Sequence, residues 1–123
     1  LREPHAFVLG IPLTHTSAKA SPIVVWEGSH LVMQRAFSTV LREISPLDWE
    51  NVDLSEVYHN VRKECFSICP RRIVHAVPGE AYVLHRHSLH GVAPWRQGAL
   101  APPEGRMIAY FRPQLTEVAQ WLM

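Results

Sequence analysis

The sequence predicts an all-β fold with a helical insertion, in the form of an antiparallel sandwich or jelly roll. Six short segments rich in strand-forming residues are separated by Gly and Pro turn signals, and they do not alternate with helices. The chain has 123 residues, of which 47% are hydrophobic and 19% charged, and these values are ordinary for one globular domain. We therefore expect a single domain over residues 1–123, with the helical insertion at about residues 30–69.

The first half of the chain supplies two predicted strands and then two predicted helices. Residues 5–13 are a mostly apolar run, and residues 23–26 (IVVW) are a second strand-forming run. Between residues 31 and 44, apolar residues recur at spacings of three and four, which indicates an amphipathic helix. A second apolar stripe at this period, over residues 53–70, predicts the second helix.

The second half supplies the remaining four predicted strands, at residues 71–77, 79–86, 89–93 and 106–112, and then a short helix at residues 115–122. Six strands are fewer than the eight of a complete jelly roll. The first residue is also not Met. We therefore expect that N-terminal strands of the fold are missing and that the chain is a fragment.

Charge and composition exclude several classes of function. The formal net charge is +1, from 12 basic and 11 acidic residues, and no basic run is present, so nucleic acid is not an expected partner. No apolar stretch approaches the roughly 20 residues of a membrane span. Two cysteines four residues apart cannot form a disulfide framework, which favours a reducing, cytoplasmic compartment.

Histidines are the most prominent candidates for a metal site. The chain has eight, and three of them, His85, His87 and His90, fall within six residues. In a continuous strand, His85 and His87 would point to one face and His90 to the other. Either the His85/His87 pair or His90 alone is therefore the expected ligand set. Imidazole is a neutral nitrogen donor that suits iron, copper, nickel and zinc.

Four segments in order resemble one enzyme family. They are residues 24–30 (VVWEGSH), 78–85 (PGEAYVLH), 89–94 (LHGVAP) and 105–110 (GRMIAY). This set is similar to the phytanoyl-CoA dioxygenase-like branch of the Fe(II)/2-oxoglutarate-dependent oxygenases, over most of residues 6–112. The resemblance implies a double-stranded β-helix, which is a jelly roll, and an oxidoreductase that hydroxylates a small-molecule or acyl substrate.

The resemblance also implies roles for particular residues. His90 corresponds to the distal iron ligand, and Arg106 to the arginine that pairs with the far carboxylate of 2-oxoglutarate. The planar fork of a guanidinium matches a carboxylate, which makes this role chemically reasonable. Arg112 is the rival, because alternation places it on the same strand face. We expect Tyr110, on that face, and Trp95, in the loop after His90, to line the pocket.

One departure from the family leaves other functions open. The family supplies two further iron ligands from a His-x-Asp or His-x-Glu motif, and no histidine here has an acidic residue two places on. The motif is expected upstream of Leu1. One alternative is a cupin-type metal site that uses His85 and His87, and another is a non-catalytic domain for binding or assembly. We also expect either self-association into a homo-oligomer or poor solubility, because missing strands would expose an apolar sheet edge.

Overall fold

Two small antiparallel sheets and a helical segment make up the molecule. The structure is a computed structural model, and it describes Leu1 and residues 3–123. The strands are β1 (Phe7–Pro12), β2 (Ile23–Trp26), β3 (Arg71–Val74), β4 (Tyr82–His85), β5 (His90–Val92) and β6 (Ile108–Phe111). The helices are α1 (Ser29–Leu41), a first 3-10 helix (Pro46–Asn51), α2 (Ser55–Ile68) and a C-terminal 3-10 helix (Val118–Leu122).

Each sheet has three strands, with its earliest strand in the middle. The first sheet has the order β4-β1-β6, and Gly10 of β1 lies opposite both Tyr82 and Tyr110. The second sheet has the order β3-β2-β5, and Val25 of β2 lies opposite His90. Directly opposed residues place their side chains on the same face of a sheet. The register therefore decides which polar side chains come together.

The two sheets pack against each other through a small apolar cluster. Its buried members come from both sheets, since Val8, Tyr82 and Leu84 belong to the first and Ile23 to the second. A larger cluster joins α1, α2, both 3-10 helices and the segment before β5. Its buried residues are Met33, Phe37, Leu41, Trp49, Val61, Cys65, Leu89 and Trp121.

Local sequence explains where the two α-helices begin. Gly28, just before α1, has φ of 82°, a left-handed conformation that glycine adopts without steric cost. Before α2, the Asp53 carboxylate accepts a hydrogen bond of 2.9 Å from the Ser55 backbone N–H. At 13 and 14 residues, neither α-helix of the described chain is long and apolar enough to cross a membrane.

The predicted combination of antiparallel sheets with a helical segment is confirmed, and the strand at residues 23–26 has the predicted bounds. The other five strands are shorter than predicted, and the sequence analysis missed the first 3-10 helix. The last predicted helix is a 3-10 helix over Val118–Leu122. Over Leu1 and residues 3–123 the two sheets do not close into a barrel, so the jelly roll stays a prediction.

Candidate functional site

Arg106 belongs to a chain of hydrogen bonds that links two tyrosines. It lies just before β6 and is half-buried. Its Nη2 donates to the Tyr110 hydroxyl oxygen at 3.4 Å, and the Tyr82 hydroxyl donates to the same oxygen at 3.0 Å. Over Leu1 and residues 3–123, the ion pairs are Arg42 with Glu43 and Arg72 with Glu27. The Arg106 guanidinium therefore has no carboxylate partner within the described chain.

Gly10 makes room for this arrangement at the centre of the first sheet. The Tyr82 ring crosses over Gly10 to reach Tyr110, because all three residues lie in one cross-strand row. A Cβ atom added at Gly10 would lie 2.3 Å from Tyr82 Cζ. Only glycine permits the ring to approach the backbone so closely.

Burial controls the acid–base state of the tyrosine network. Burial raises the pKa of Tyr82, the hydrogen bond to Tyr110 raises it further, and the charge of Arg106 opposes both effects. Tyr82 is therefore a neutral hydrogen-bond donor at physiological pH. The closed space beside Arg106 and Tyr82 measures about 10 Å³, room for about one water molecule. A larger anion could meet Arg106 only from its exposed side.

His90 lies on β5 with a defined tautomer. His90 lies directly opposite Val25, so both side chains are on the same face of the sheet. Val25 contacts the apolar cluster between the two sheets. The Nδ1 of His90 is 2.9 Å from the backbone oxygen of Ser88. A carbonyl oxygen can only accept, so Nδ1 carries the proton and Nε2 keeps its lone pair. Metal-binding histidines commonly have this pattern of hydrogen bonding.

His85 and His87 are close to each other, and one ring nitrogen of each forms a hydrogen bond with the backbone. Strand β4 ends at His85 and His87 lies in a turn, so the predicted strand alternation does not extend to His87. The His87 backbone N–H donates to His85 Nδ1 at 3.1 Å. His87 Nε2 donates to the Trp121 carbonyl oxygen at 2.6 Å, and its buried Nδ1 has no partner within the described chain.

Burial keeps the His87 ring neutral. It lowers the pKa of His87 from 6.5 to about 4. The hydrogen bond to Trp121 opposes this shift, whereas the nearby charges of His85, Arg86 and His5 add to it. Burial also lowers the pKa of His85, and the neighbouring His30 and Arg86 contribute. The His30 and His85 ring centres are 4.9 Å apart.

A cavity of about 320 Å³ adjoins His90. A wider, more open cleft of about 960 Å³ shares Phe37, Tyr58 and Trp121 with it. The residues that line the smaller cavity are Met33, Phe37, Tyr58, Arg86, His87, Ser88, Leu89, His90 and Trp121. Met33, Phe37, Leu89 and Trp121 form a buried apolar part of this lining, and the other side is polar, so the cavity suits a small molecule with an apolar and a polar end.

The predicted site residues fall into separate groups. Arg106 and Tyr110 are in contact, whereas His90 and Arg106 line different cavities. Trp95 is 52% exposed and lines none of these cavities. Its backbone forms an isolated bridge with Ala20.

The donors required for iron do not come together in this chain. Over Leu1 and residues 3–123, no group of three or more His, Cys, Asp or Glu side chains is placed to hold a metal ion. A non-haem Fe(II) site of this class needs two histidines and one carboxylate. The described residues therefore do not form such a site by themselves.

Sequence reasoning missed three residues that organise these sites. Gly10 interrupts an apolar strand, and an isolated glycine there is a recognised signal of close backbone approach. Tyr82 had no such signal, because its contact with Tyr110 depends on strand register. Arg86 donates to the backbone oxygens of Ala6, Gln120, Trp121 and Met123, and nothing in the sequence indicated these partners.

Comparisons of this chain with protein-family models, with curated proteins and with solved structures found no match. The resemblance to the oxygenase family therefore rests on the four sequence segments alone.

Proposed function

We propose that this chain is part of an Fe(II)/2-oxoglutarate-dependent dioxygenase that hydroxylates a small-molecule or acyl substrate. In this proposal, Arg106 binds the far carboxylate of 2-oxoglutarate and His90 supplies one of the iron ligands. The described residues do not bring the remaining ligands together.

The half-buried and unpaired guanidinium of Arg106 is the main support for this proposal. Its hydrogen bond to Tyr110 is exposed to solvent, and no acidic side chain of the described chain compensates its charge. A carboxylate from a ligand would supply that compensation through two parallel N–H···O bonds. The hydrogen bond to Tyr110 restricts the orientation of the fork before the ligand arrives.

The tautomer of His90 supports its role as a metal ligand. The Nδ1–H bond to Ser88 leaves the Nε2 lone pair available and fixes the ring orientation. The cavity of about 320 Å³ beside His90 offers space for a substrate. Phe37 and Trp121 in its wall would exclude water from an apolar substrate.

Calorimetric titration of this chain with 2-oxoglutarate tests the role of Arg106. We expect the wild type to bind, Arg106→Gln to weaken the affinity at least ~10-fold, and Arg106→Lys to recover only part of it, because lysine lacks the bidentate fork. Arg112→Gln is the matched control and should bind like the wild type. Absence of binding in the wild type, or a loss confined to Arg112→Gln, would refute the assignment.

Titration with Mn²⁺, a redox-stable substitute for Fe²⁺, of this chain and of a form extended upstream of Leu1 separates the proposal from its alternatives. In the extended form His90→Ala should weaken metal binding, whereas His85→Ala and His87→Ala should not. The opposite result would favour the cupin-type site. If neither form binds metal or 2-oxoglutarate, the oxygenase proposal fails and the alternative of a non-catalytic binding or assembly domain stands.

A further inference from the structure

The tyrosine network contains one hydrogen-bond donor that the binding role of Arg106 does not explain. Arg106 Nη2 and the Tyr82 hydroxyl both donate to the Tyr110 hydroxyl oxygen. A phenol oxygen has two lone pairs, so both acceptor positions of Tyr110 are filled. Its own proton is then available for a third partner.

No group in the described chain accepts that proton. Tyr110 is 39% exposed, whereas Tyr82 is 9% exposed, so the Tyr110 hydroxyl is the one that a molecule from solvent reaches. The two bonds that Tyr110 accepts also polarise its O–H group, which strengthens it as a donor. A negatively charged oxygen is the acceptor that benefits most from such a donor.

We propose that Tyr110 is a second binding residue for the carboxylate held by Arg106, and that Tyr82 is a positioning residue that acts through Tyr110. This inference rests on the proposed function, because it assigns both residues to the same anion. One carboxylate group of a dicarboxylate then receives N–H bonds from Arg106 and an O–H bond from Tyr110. Tyr82 does not touch the ligand in this arrangement.

Gly10 is the reason that Tyr82 can act in this way. The Tyr82 ring lies across the glycine backbone, and its hydroxyl therefore reaches the neighbouring strand on the far side of β1. The three residues form one row across the sheet. The position of the Tyr110 oxygen is thus fixed from the buried side by Tyr82 and from the other side by Arg106.

Calorimetry with 2-oxoglutarate on the intact chain tests both roles. Tyr110→Phe should weaken binding ~10-fold, because a charge-assisted hydrogen bond is lost. Tyr82→Phe should weaken it ~3-fold, and the double variant should bind like Tyr110→Phe alone, because Tyr82 acts only through Tyr110. Thr39→Val, which removes an exposed hydroxyl on α1 that lines none of the cavities, is the control and should leave the affinity unchanged. Thermal unfolding of each variant checks that the fold is retained.

The outcomes separate this inference from the proposed function. If the wild type binds, Arg106→Gln does not, and Tyr110→Phe binds normally, the role of Tyr110 is refuted while the role of Arg106 stands. If Tyr82→Phe weakens binding further in the Tyr110→Phe background, the positioning role of Tyr82 is refuted. If the wild type does not bind 2-oxoglutarate, both proposals fail.

Discussion

Because Gly10 has no side chain, the Tyr82 ring can cross the middle strand of the first sheet. Gly10 lies on this middle strand, where most residues add to stability through their side chains. Here the empty space is filled by the ring of Tyr82. The packing of a neighbouring aromatic residue replaces the contribution that a side chain at this position would have made.

Replacing Gly10 with alanine should destabilise the protein by about 2 kcal/mol, because the new methyl group would force the Tyr82 ring from its position. Urea unfolding measures this change. Gly91→Ala is the matched control. Gly91 also lies in a strand, opposite Val24 of the middle strand β2, and an added Cβ there meets no atom within 4 Å. Equal stability of the two variants would contradict the close approach of Tyr82.

The protonation of His87 is coupled to folding in the weakly acidic range. Its pKa is about 4 in the folded protein against an ordinary value of 6.5, chiefly because the ring is buried. Between these two values the unfolded chain binds a proton that the folded chain does not. The free energy of unfolding therefore falls as the pH decreases through this window.

We expect this loss of stability to reach about 2 kcal/mol between pH 6.5 and pH 4. Urea unfolding at a series of pH values measures it. His87→Gln keeps a donor for the Trp121 carbonyl but cannot titrate, so its profile should be flatter, with a residual slope from His85. The exposed His59→Gln is the control. An unchanged slope in His87→Gln would show that another group is responsible.

At the scale of elements, the positions of strands and helices were largely predictable, but their ends were not. The predicted strand at residues 79–86 is shortened to Tyr82–His85 because Arg86 and His87 turn towards the C-terminal 3-10 helix. Hydrophobic periodicity does not contain that information, since both residues are polar. The first 3-10 helix was missed because Pro46–Asn51 is too short to show a period.

The C-terminal 3-10 helix depends on side chains from elsewhere in the chain. The Arg86 guanidinium donates to the carbonyl oxygens of Gln120, Trp121 and Met123, and it also reaches Ala6. Trp121 and Met123 lie at the helix end, where carbonyls lack internal partners, whereas the Gln120 oxygen also accepts from the Met123 backbone N–H. A short helix with few internal hydrogen bonds is thereby held against the body of the molecule.

Replacing Arg86 with alanine should lower the free energy of unfolding by about 3 kcal/mol, because several bonds to a charged donor are lost together. The amides of Val118–Leu122 should also exchange faster with solvent than in the wild type. Denaturant unfolding and hydrogen exchange measure these effects. Arg35→Ala, on the exposed side of α1, is the control. Unaltered exchange at the C-terminal helix would contradict the role of Arg86.

For the whole molecule, the contact between the two sheets is small and should be sensitive to single changes. Leu84 is 6% exposed within it, whereas Val83, the preceding residue of β4, is 64% exposed on the opposite face. Leu84→Ala should therefore cost about 3 kcal/mol and Val83→Ala less than about 0.5 kcal/mol in urea unfolding. Similar losses in both variants would mean that the sheets are not packed as described.

The candidate site could be predicted only in part from the sequence. The contact of Arg106 with Tyr110 follows from residues that alternate along one strand face, which the sequence indicates. The contact of Tyr82 with Tyr110 depends on two strands aligning with Gly10 between them. Because the register between strands distant in sequence is a tertiary property, no local pattern could have predicted it.

The order of strands within the sheets has a consequence for the kinetics of folding. β1 lies near the start of the chain, yet one of its partners is β6, so that Leu9 pairs with Phe111. α1 and α2 are neighbours in sequence, whereas the first sheet is complete only after β6 has been synthesised. Such long-range pairing slows folding towards milliseconds to seconds. During translation, β1 therefore stays unpaired on one side until β6 has left the ribosome.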